Sequence, residues 1–356
     1  VPDNKVKNMM SRMRQEAQQA SFITQQQLLQ YVDLFPAIIA DIKKFSPQFI
    51  MTVGRGSSDH AASFAKYVFE TQLGLATSSA APSVETIYHA PLLLDKALVI
   101  AFSQSGQSCD LCEVLSAAKK SGAFTIAFVN KTQSPLASIA HHIIPLYAGD
   151  EISVAATKSF IATLVAILAF TAYWQQDNDF LDKLSHLPSR FISYQDSWLV
   201  AAKDIAMRAS ILVLGRGFTF PIAMEAALKL KETCKLHAEA FSSAEVLHGP
   251  FALMQKNFPL IVFVPTDAAA IELSDLLDRL TTIATCTYLI VAENHAHKFV
   301  DDSGTRHVLP LPESLHPLCD PVIAIQAFYL MAEQCAQMRG INPDQPEHLS
   351  KVTNTR

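Results

Sequence analysis

The sequence predicts an α/β chain of two tandem domains, each a doubly wound parallel sheet flanked by helices. Three observations carry that expectation. Short apolar runs alternate with longer amphipathic stretches, the pattern of βαβ units around a parallel sheet. A strand and glycine turn, MTVGRGSS at Met51–Ser58, returns in the second half as LVLGRGFT at Leu212–Thr219, which marks an internal duplication. At 356 residues the chain is also long for one domain, since about 100 to 200 residues per domain is usual.

Residues 1–46 read as a helical lead-in. Leu28, Leu29, Val32, Ile38, Ile39 and Ile42 recur there at helical spacing. After Ser46-Pro47 a first domain, 47–190, runs through QFIMTV, a helix, ALVIAF, a helix, FTIAFV and then HIIPL. The apolar run from Ile161 to Trp174 is broken by Thr163 and Thr171 and is too short to span a bilayer, so it is expected to be a buried core helix. The join lies in the polar stretch Gln175–Ser197, where Leu187-Pro188-Ser189 interrupts the pattern. In the second domain, 191–356, PLIVFV (Pro259–Val264) echoes ALVIAF, CTYLIV (Cys286–Val291) echoes FTIAFV, and HVLPL (His307–Leu311) echoes HIIPL. Four matching strands in one order imply duplication of a whole domain.

Composition narrows the function. Half the residues are apolar and 17% are charged, which fits globular domains and argues against disorder. A net charge of -5 offers no basic footprint for nucleic acid or an anionic membrane. The polar N-terminal stretch has no signal-peptide pattern, and six scattered cysteines are expected as reduced thiols of a cytoplasmic protein. Only Cys109 and Cys112 form a CxxC. Without a second such pair or a nearby histidine to complete a ligand set, they read as small residues in the first turns of a helix, and no metal or other cofactor is expected.

The two halves differ where chemistry is expected. In the first, ALVIAF runs into SQSGQSCD and then a helical stretch. Hydroxyls, glycine and backbone N–H groups between a strand end and a helix start suit an anion such as phosphate, although serine is also an ordinary helix cap. The matching place in the second half reads VPTDAAA, and there the cradle is lost. The turn Gly54-Arg55-Gly56-Ser57-Ser58 is placed to close the same pocket. The second half carries ionisable groups: Glu225, Lys229 and Glu232 share a helical face, either as a solvated stripe or as catalytic groups, and His237 and His248 follow. Moving a proton between C1 and C2 of a sugar needs a base, a ring-opening acid–base group and a cation for the oxyanion. Glu232, His248 and Lys229 are one of each.

SQSG, EISVAATKSF, the run ALKLKE…HAEAF…HGP and the tail DQPEHLSKVT together resemble the SIS (sugar isomerase) family, and within it the isomerase domains of glutamine:fructose-6-phosphate aminotransferases. The likeness covers nearly the whole chain. It implies two SIS domains of flavodoxin-like αβα architecture and a sugar-phosphate substrate. It implies substrate contacts at Ser58, Ser103, Gln104, Ser105, Gly106, Ser108, Val154 and Ala155. Glu232 falls on the family's proton-transferring carboxylate, His248 on its ring-opening histidine, Lys229 on the lysine one turn before the carboxylate, and Lys351 on the lysine of the tail. The family commonly takes that histidine from a neighbouring subunit, which implies a homodimer with shared sites.

Departures bear on the reaction. Val1-Pro2 opens the chain without the family's glutaminase domain, so glutamine-dependent synthesis is not expected. Gln107-Ser108 replaces the family's Glu-Thr, Ala156 stands where a substrate-contacting serine is usual, and Glu347 replaces an arginine. In this form the chain is similar to SIS-type glucosamine-6-phosphate deaminases, with a plain hexose-6-phosphate isomerase or a synthase-like enzyme lacking its glutaminase as neighbouring readings. A phosphosugar sensor is the reading from another class. It is disfavoured because a sensor needs no Glu232, His248 and Lys351 together.

Overall fold

Residues 10–193 and 195–351 are described by a computed structural model of the chain. Helix α1 (Arg12–Gln18) starts where the Ser11 hydroxyl accepts the Arg14 N–H, the usual way to satisfy an orphan donor of a first turn. Helix α2 (Ala20–Phe45) buries Tyr31, Phe35, Ile38 and Ile42, one face at spacings of four and three. Leu29 and Val32, counted above among the apolar repeat, lie on its exposed side.

The first sheet is built from β1 (Phe49–Val53), α3 (Ser57–Leu73), β2 (Thr77–Ser79), α4 (Pro82–Thr86), β3 (Ala97–Ser103), α5 (Cys109–Lys120), β4 (Phe124–Val129), α6 (Pro135–Ile139) and β5 (His142–Pro145). Its five strands run parallel in the order β2-β1-β3-β4-β5. Every residue of β3 is buried, as a central strand covered on both faces requires. Helices α7 (Lys158–Gln175) and α8 (Asn178–Ser185) lead into the second half: α9 (Asp196–Ala206), β6 (Ser210–Gly215), α10 (Phe220–Cys234), β7 (His237–Ser242), β8 (Pro259–Phe263), α11 (Leu273–Ile283), β9 (Cys286–Ala292), α12 (Glu293–Ala296), β10 (Arg306–Leu311) and α13 (Asp320–Met338). The second sheet, β10-β9-β8-β6-β7, is also parallel and has the same order read from its other edge.

The duplication therefore extends to five strands. The sequence shows four because the fifth pair, β2 and β7, are edge strands: one is only three residues long and the other is mostly part-exposed, so neither has a continuous apolar run. The repeated glycine turn has a steric reason. A Cβ at Gly54 would lie 2.7 Å from the Ser58 carbonyl, and one at Gly215 2.4 Å from the Thr219 carbonyl, so only glycine lets the following helix start so close to the strand end.

Helices α3, α7, α10 and α13 contribute to one apolar cluster that joins the two halves. By length and composition α7 could cross a membrane, yet 83% of it is buried inside the protein, as the sequence led one to expect of a core helix. The parallel sheets place the carboxyl ends of β1 and β3, where strand order reverses, beside α10. That switch point is the usual ligand crevice of an open parallel sheet.

Candidate active site

A cleft of about 300 Å³ opens at that switch point. One wall is the turn Arg55–Ser58 together with Ser103, Gln104, Ser105 and Ser108; facing it are Glu232, Glu151, Val154, Ala156 and the tail residues Leu349–Lys351. Residues far apart in sequence, from both halves and the tail, thus line one space.

The loop after β3 is shaped by its glycine. Gly106 has φ +64°, and a Cβ there would lie 2.1 Å from the Ser134 Oγ. Its N–H donates to the Ser103 hydroxyl oxygen at 2.9 Å, folding the loop into a tight turn ahead of α5. Ser108 precedes α5 without a side-chain capping bond, so the plain helix-cap reading of this serine does not describe it. Cys109 and Cys112 lie in the first turn of α5.

Glu232 is in the last turns of α10, partly exposed to the cleft, and is ion-paired with Lys229. Lys229 is fully buried beneath it and lies 3.4 Å from Glu225 as well, so one ammonium is shared by two carboxylates. This is not a solvated stripe. Glu225 is itself fully buried and accepts from the Ser57 hydroxyl (3.0 Å) and the Tyr329 hydroxyl (3.0 Å), with His60 Nδ1 at 2.9 Å. Burial pushes the Glu225 carboxyl up, but Lys229, His60 and Tyr329 together hold it below the ordinary carboxylate range. Burial opposes the charge on Lys229 too, and Glu225 and Glu232 outweigh it, keeping the ammonium above its usual value.

A second ion pair, with a buried carboxylate and a part-exposed lysine, holds the tail. Lys351 Nζ donates to Glu151 Oε2 and to the Ser153 carbonyl, both at 2.7 Å. Glu151 also accepts from the Thr157 and Ser159 N–H groups (2.9 and 3.0 Å) and the Ser159 hydroxyl (2.7 Å). Burial raises its pKa, and Lys351 with those N–H donors brings it below the ordinary value. The Asp344 carboxylate accepts the N–H groups of Arg12 and Met13 (2.9 and 2.8 Å), and its carbonyl accepts Val154 N–H at 3.1 Å. The tail is thereby laid across the mouth of the first half; the last residues of its motif, Val352 and Thr353, lie outside the described residues.

Of the residues singled out from sequence, Ser58, Ser103, Gln104, Ser105, Ser108, Val154, Glu232 and Lys351 line the cleft. Gly106 shapes it, Lys229 lies beneath Glu232, and Ala155 is buried between two cleft-lining neighbours. His248 does not join them: it ends a short 3₁₀ turn, Glu245–His248, and is exposed away from the cleft of its own chain. His237 begins the edge strand β7 and is also exposed. Sequence reasoning missed Glu151, His60, Tyr329 and the cleft-lining Arg55, and it left Glu225 without a role. Glu151 and Arg55 sit inside motifs already noticed. Nothing in local pattern marks Tyr329, which lies in an apolar helix.

The corresponding strand end of the second half is closed. Its cavity is about 10 Å³, and the carboxylate of Asp320, at the start of α13, lies between the loops after β8 and β10. Asp320 accepts the hydroxyls of Thr266 and Ser314 (2.5 Å each) and the N–H of Leu315 at 2.9 Å. The chain's own anion sits among donors of the kind that a ligand anion would use.

A model of the SIS domain matches residues 46–173 and 204–294, one segment in each half. The chain belongs to the SIS domain family. Over 316 residues it is 32% identical to the glutamine–fructose-6-phosphate aminotransferase of Corynebacterium glutamicum, covering 85% of this chain and 50% of that protein. Against the Aquifex aeolicus enzyme of the same name it is 29% identical over 90% of this chain and 53% of that protein. This SIS chain thus spans about half the length of the curated relatives it matches. Among solved structures, a candidate phosphosugar isomerase from Silicibacter pomeroyi is 37% identical with a TM-score of 0.82, covering 94% of this chain and all of that one. The C-terminal domain of glucosamine-fructose-6-phosphate aminotransferase from Francisella tularensis is 26% identical with a TM-score of 0.86, covering 96% of this chain and 100% of that one. The Thermotoga maritima glucosamine-6-phosphate deaminase, 20% identical over 97% of this chain and 100% of that one with a TM-score of 0.72, shares the fold.

Proposed function

We propose that this SIS chain is a phosphosugar isomerase that converts glucosamine 6-phosphate and water to fructose 6-phosphate and ammonia. The observation that carries the reading is the position of Glu232, a cleft-facing carboxylate backed by a buried ammonium and set across from the hydroxyl-rich loop after β3. The loop takes the phosphate, and the distance-fixing cleft presents C1 and C2 to Glu232. With the ring open, Glu232 removes the C2 proton and returns it to C1. The aldehyde becomes an enolamine and then a C2 imine, which water hydrolyses to the ketone with release of ammonia. Lys229, buried beneath the base, and Lys351, on the same side of the cleft, offset the negative charge that develops on oxygen. No step requires a metal or an organic cofactor.

Ring opening is assigned to His248. Because this residue is exposed and outside its own chain's cleft, the assignment requires a second copy of the chain, so the working form is a homodimer with shared sites. Incubation with glucosamine 6-phosphate should release ammonia and fructose 6-phosphate in equal amounts. Interconversion of glucose 6-phosphate and fructose 6-phosphate with no ammonia from the amino sugar would instead make the chain a plain hexose-6-phosphate isomerase. Binding without turnover of either would favour a sensor.

A further inference from the structure

We infer that Arg55 is the cation that grips the phosphate, a specificity determinant that selects phosphorylated from free sugar. The inference rests on the sugar-phosphate reading above and goes beyond it, because the loop Ser103–Ser108 has no charge of its own.

Among the described residues that line the cleft the cations are Arg55 and Lys351, and Lys351 is held by the buried Glu151 carboxylate and the Ser153 carbonyl. Arg55 comes from the turn after β1, not from the cradle loop, yet it is tied to the cradle. Its Nε donates to Asp110 Oδ2 at 2.7 Å, and Asp110 is the second residue of α5, the helix that Ser108 precedes. The Asp110 side chain has no exposure, while the Arg55 side chain is 47% exposed. Asp110 also accepts the Leu111 N–H at 2.9 Å, so its charge is directed into the protein. The bond to Asp110 tethers the guanidinium to the start of α5, where backbone N–H groups and the helix dipole also favour an anion. A planar guanidinium anchored through Nε is suited to bidentate contact with phosphate oxygens.

The duplication supplies an internal control. Arg216, the counterpart of Arg55 in the second half, donates to the Ser242 hydroxyl and to Glu272, each at 3.2 Å. The cavity at the second half's strand end is small, and its lining does not include Arg216.

The test is calorimetric titration of the full chain with fructose 6-phosphate and, separately, with inorganic phosphate. Arg55→Met should weaken both by about tenfold or more, Arg55→Lys should recover part of the loss, and Arg216→Met should bind as the parent does. Because Arg55→Met leaves Asp110 buried without this partner, Arg55→Met/Asp110→Asn is measured beside it. The same loss in the double variant, with an unchanged melting temperature, supports the assignment. Affinity within about twofold of the parent in either variant overturns it. If the parent binds phosphate but not fructose 6-phosphate, the proposed function fails while a phosphate loss in Arg55→Met still supports Arg55 as an anion site. If the parent binds neither, both fall.

Discussion

The two halves of this molecule carry the same strand order and the same glycine turn, yet one is open at its switch point and the other is filled. In the first half the loop after β3 faces a cleft of about 300 Å³. In the second the Asp320 carboxylate is held between the loop after β8 and the loop after β10, and about 10 Å³ remains. On the proposed reading this difference divides the labour: the half that keeps its cradle receives the ligand, while the half that fills it contributes α10, with Glu225, Lys229 and Glu232. The two are joined by the hydrogen bonds of Ser57 and His60 to Glu225.

The strongest way to break this comparison is to remove the carboxylate of the second half that is proposed as the base. Glu232→Gln should lower turnover of glucosamine 6-phosphate by about a thousandfold, within the usual range for loss of a general base, and leave sugar-phosphate affinity nearly unchanged. Steady-state kinetics beside calorimetric binding reads both, and near-normal turnover would move the base elsewhere. A smaller effect is expected at the tail. Lys351→Met leaves the buried Glu151 carboxylate without its part-exposed cation, at a cost of about 1 to 3 kcal/mol. Chemical denaturation should show that cost, and affinity for the sugar phosphate should fall with it.

The filled half can be probed in the same manner. Asp320→Ala leaves the hydroxyls of Thr266 and Ser314 and the Leu315 N–H without their acceptor, at about 1 to 3 kcal/mol. It should lower the melting temperature without creating a second sugar-phosphate site, so a titration of the variant should still give one site per chain. Two sites would mean that Asp320 alone separates the halves.

The smallest effect is in pH. Glu151 and Glu225 both have folded values below the ordinary 4.5. Their stabilising contribution is full above that unfolded value and is lost as pH falls through the lower folded one. Lys229, raised above 10.5, acts oppositely: its contribution is present below that value and fades as pH rises through the folded one. Melting temperature should therefore decline below about pH 4.5, and Glu225→Gln should flatten the acid limb. An unchanged limb in that variant would place the acid sensitivity outside the bridge between the halves.

Much of the fold is legible in the residue pattern because buried parallel strands are continuous apolar runs, and ALVIAF and PLIVFV are such runs. The strands that escaped, β2 and β7, sit at sheet edges, where one side meets solvent and the apolar signal fades. The candidate site was legible where a motif is contiguous, as in Ser103–Ser108 and Lys229–Glu232. His60 and Tyr329 were hidden because their partner, Glu225, lies on another helix. The two leucine and valine positions of α2 that proved exposed show the reverse error: helical spacing marks a face, and packing decides which face is covered.

By itself, then, the sequence determined the duplicated parallel architecture, the hydroxyl loop with its obligatory glycine, and the carboxylate and lysine one helical turn apart. These depend on neighbours within a few residues. Only the tertiary structure decided that Lys229 is shared by two carboxylates, that Lys351 returns to Glu151, that Arg55 leans on α5, that His248 lies outside its own chain's cleft and that Asp320 closes the second cradle. Each of those pairings joins or separates segments that local periodicity treats as independent, and the energy that selects them, the cost of an unpaired charge away from water, arises only once the helices are packed.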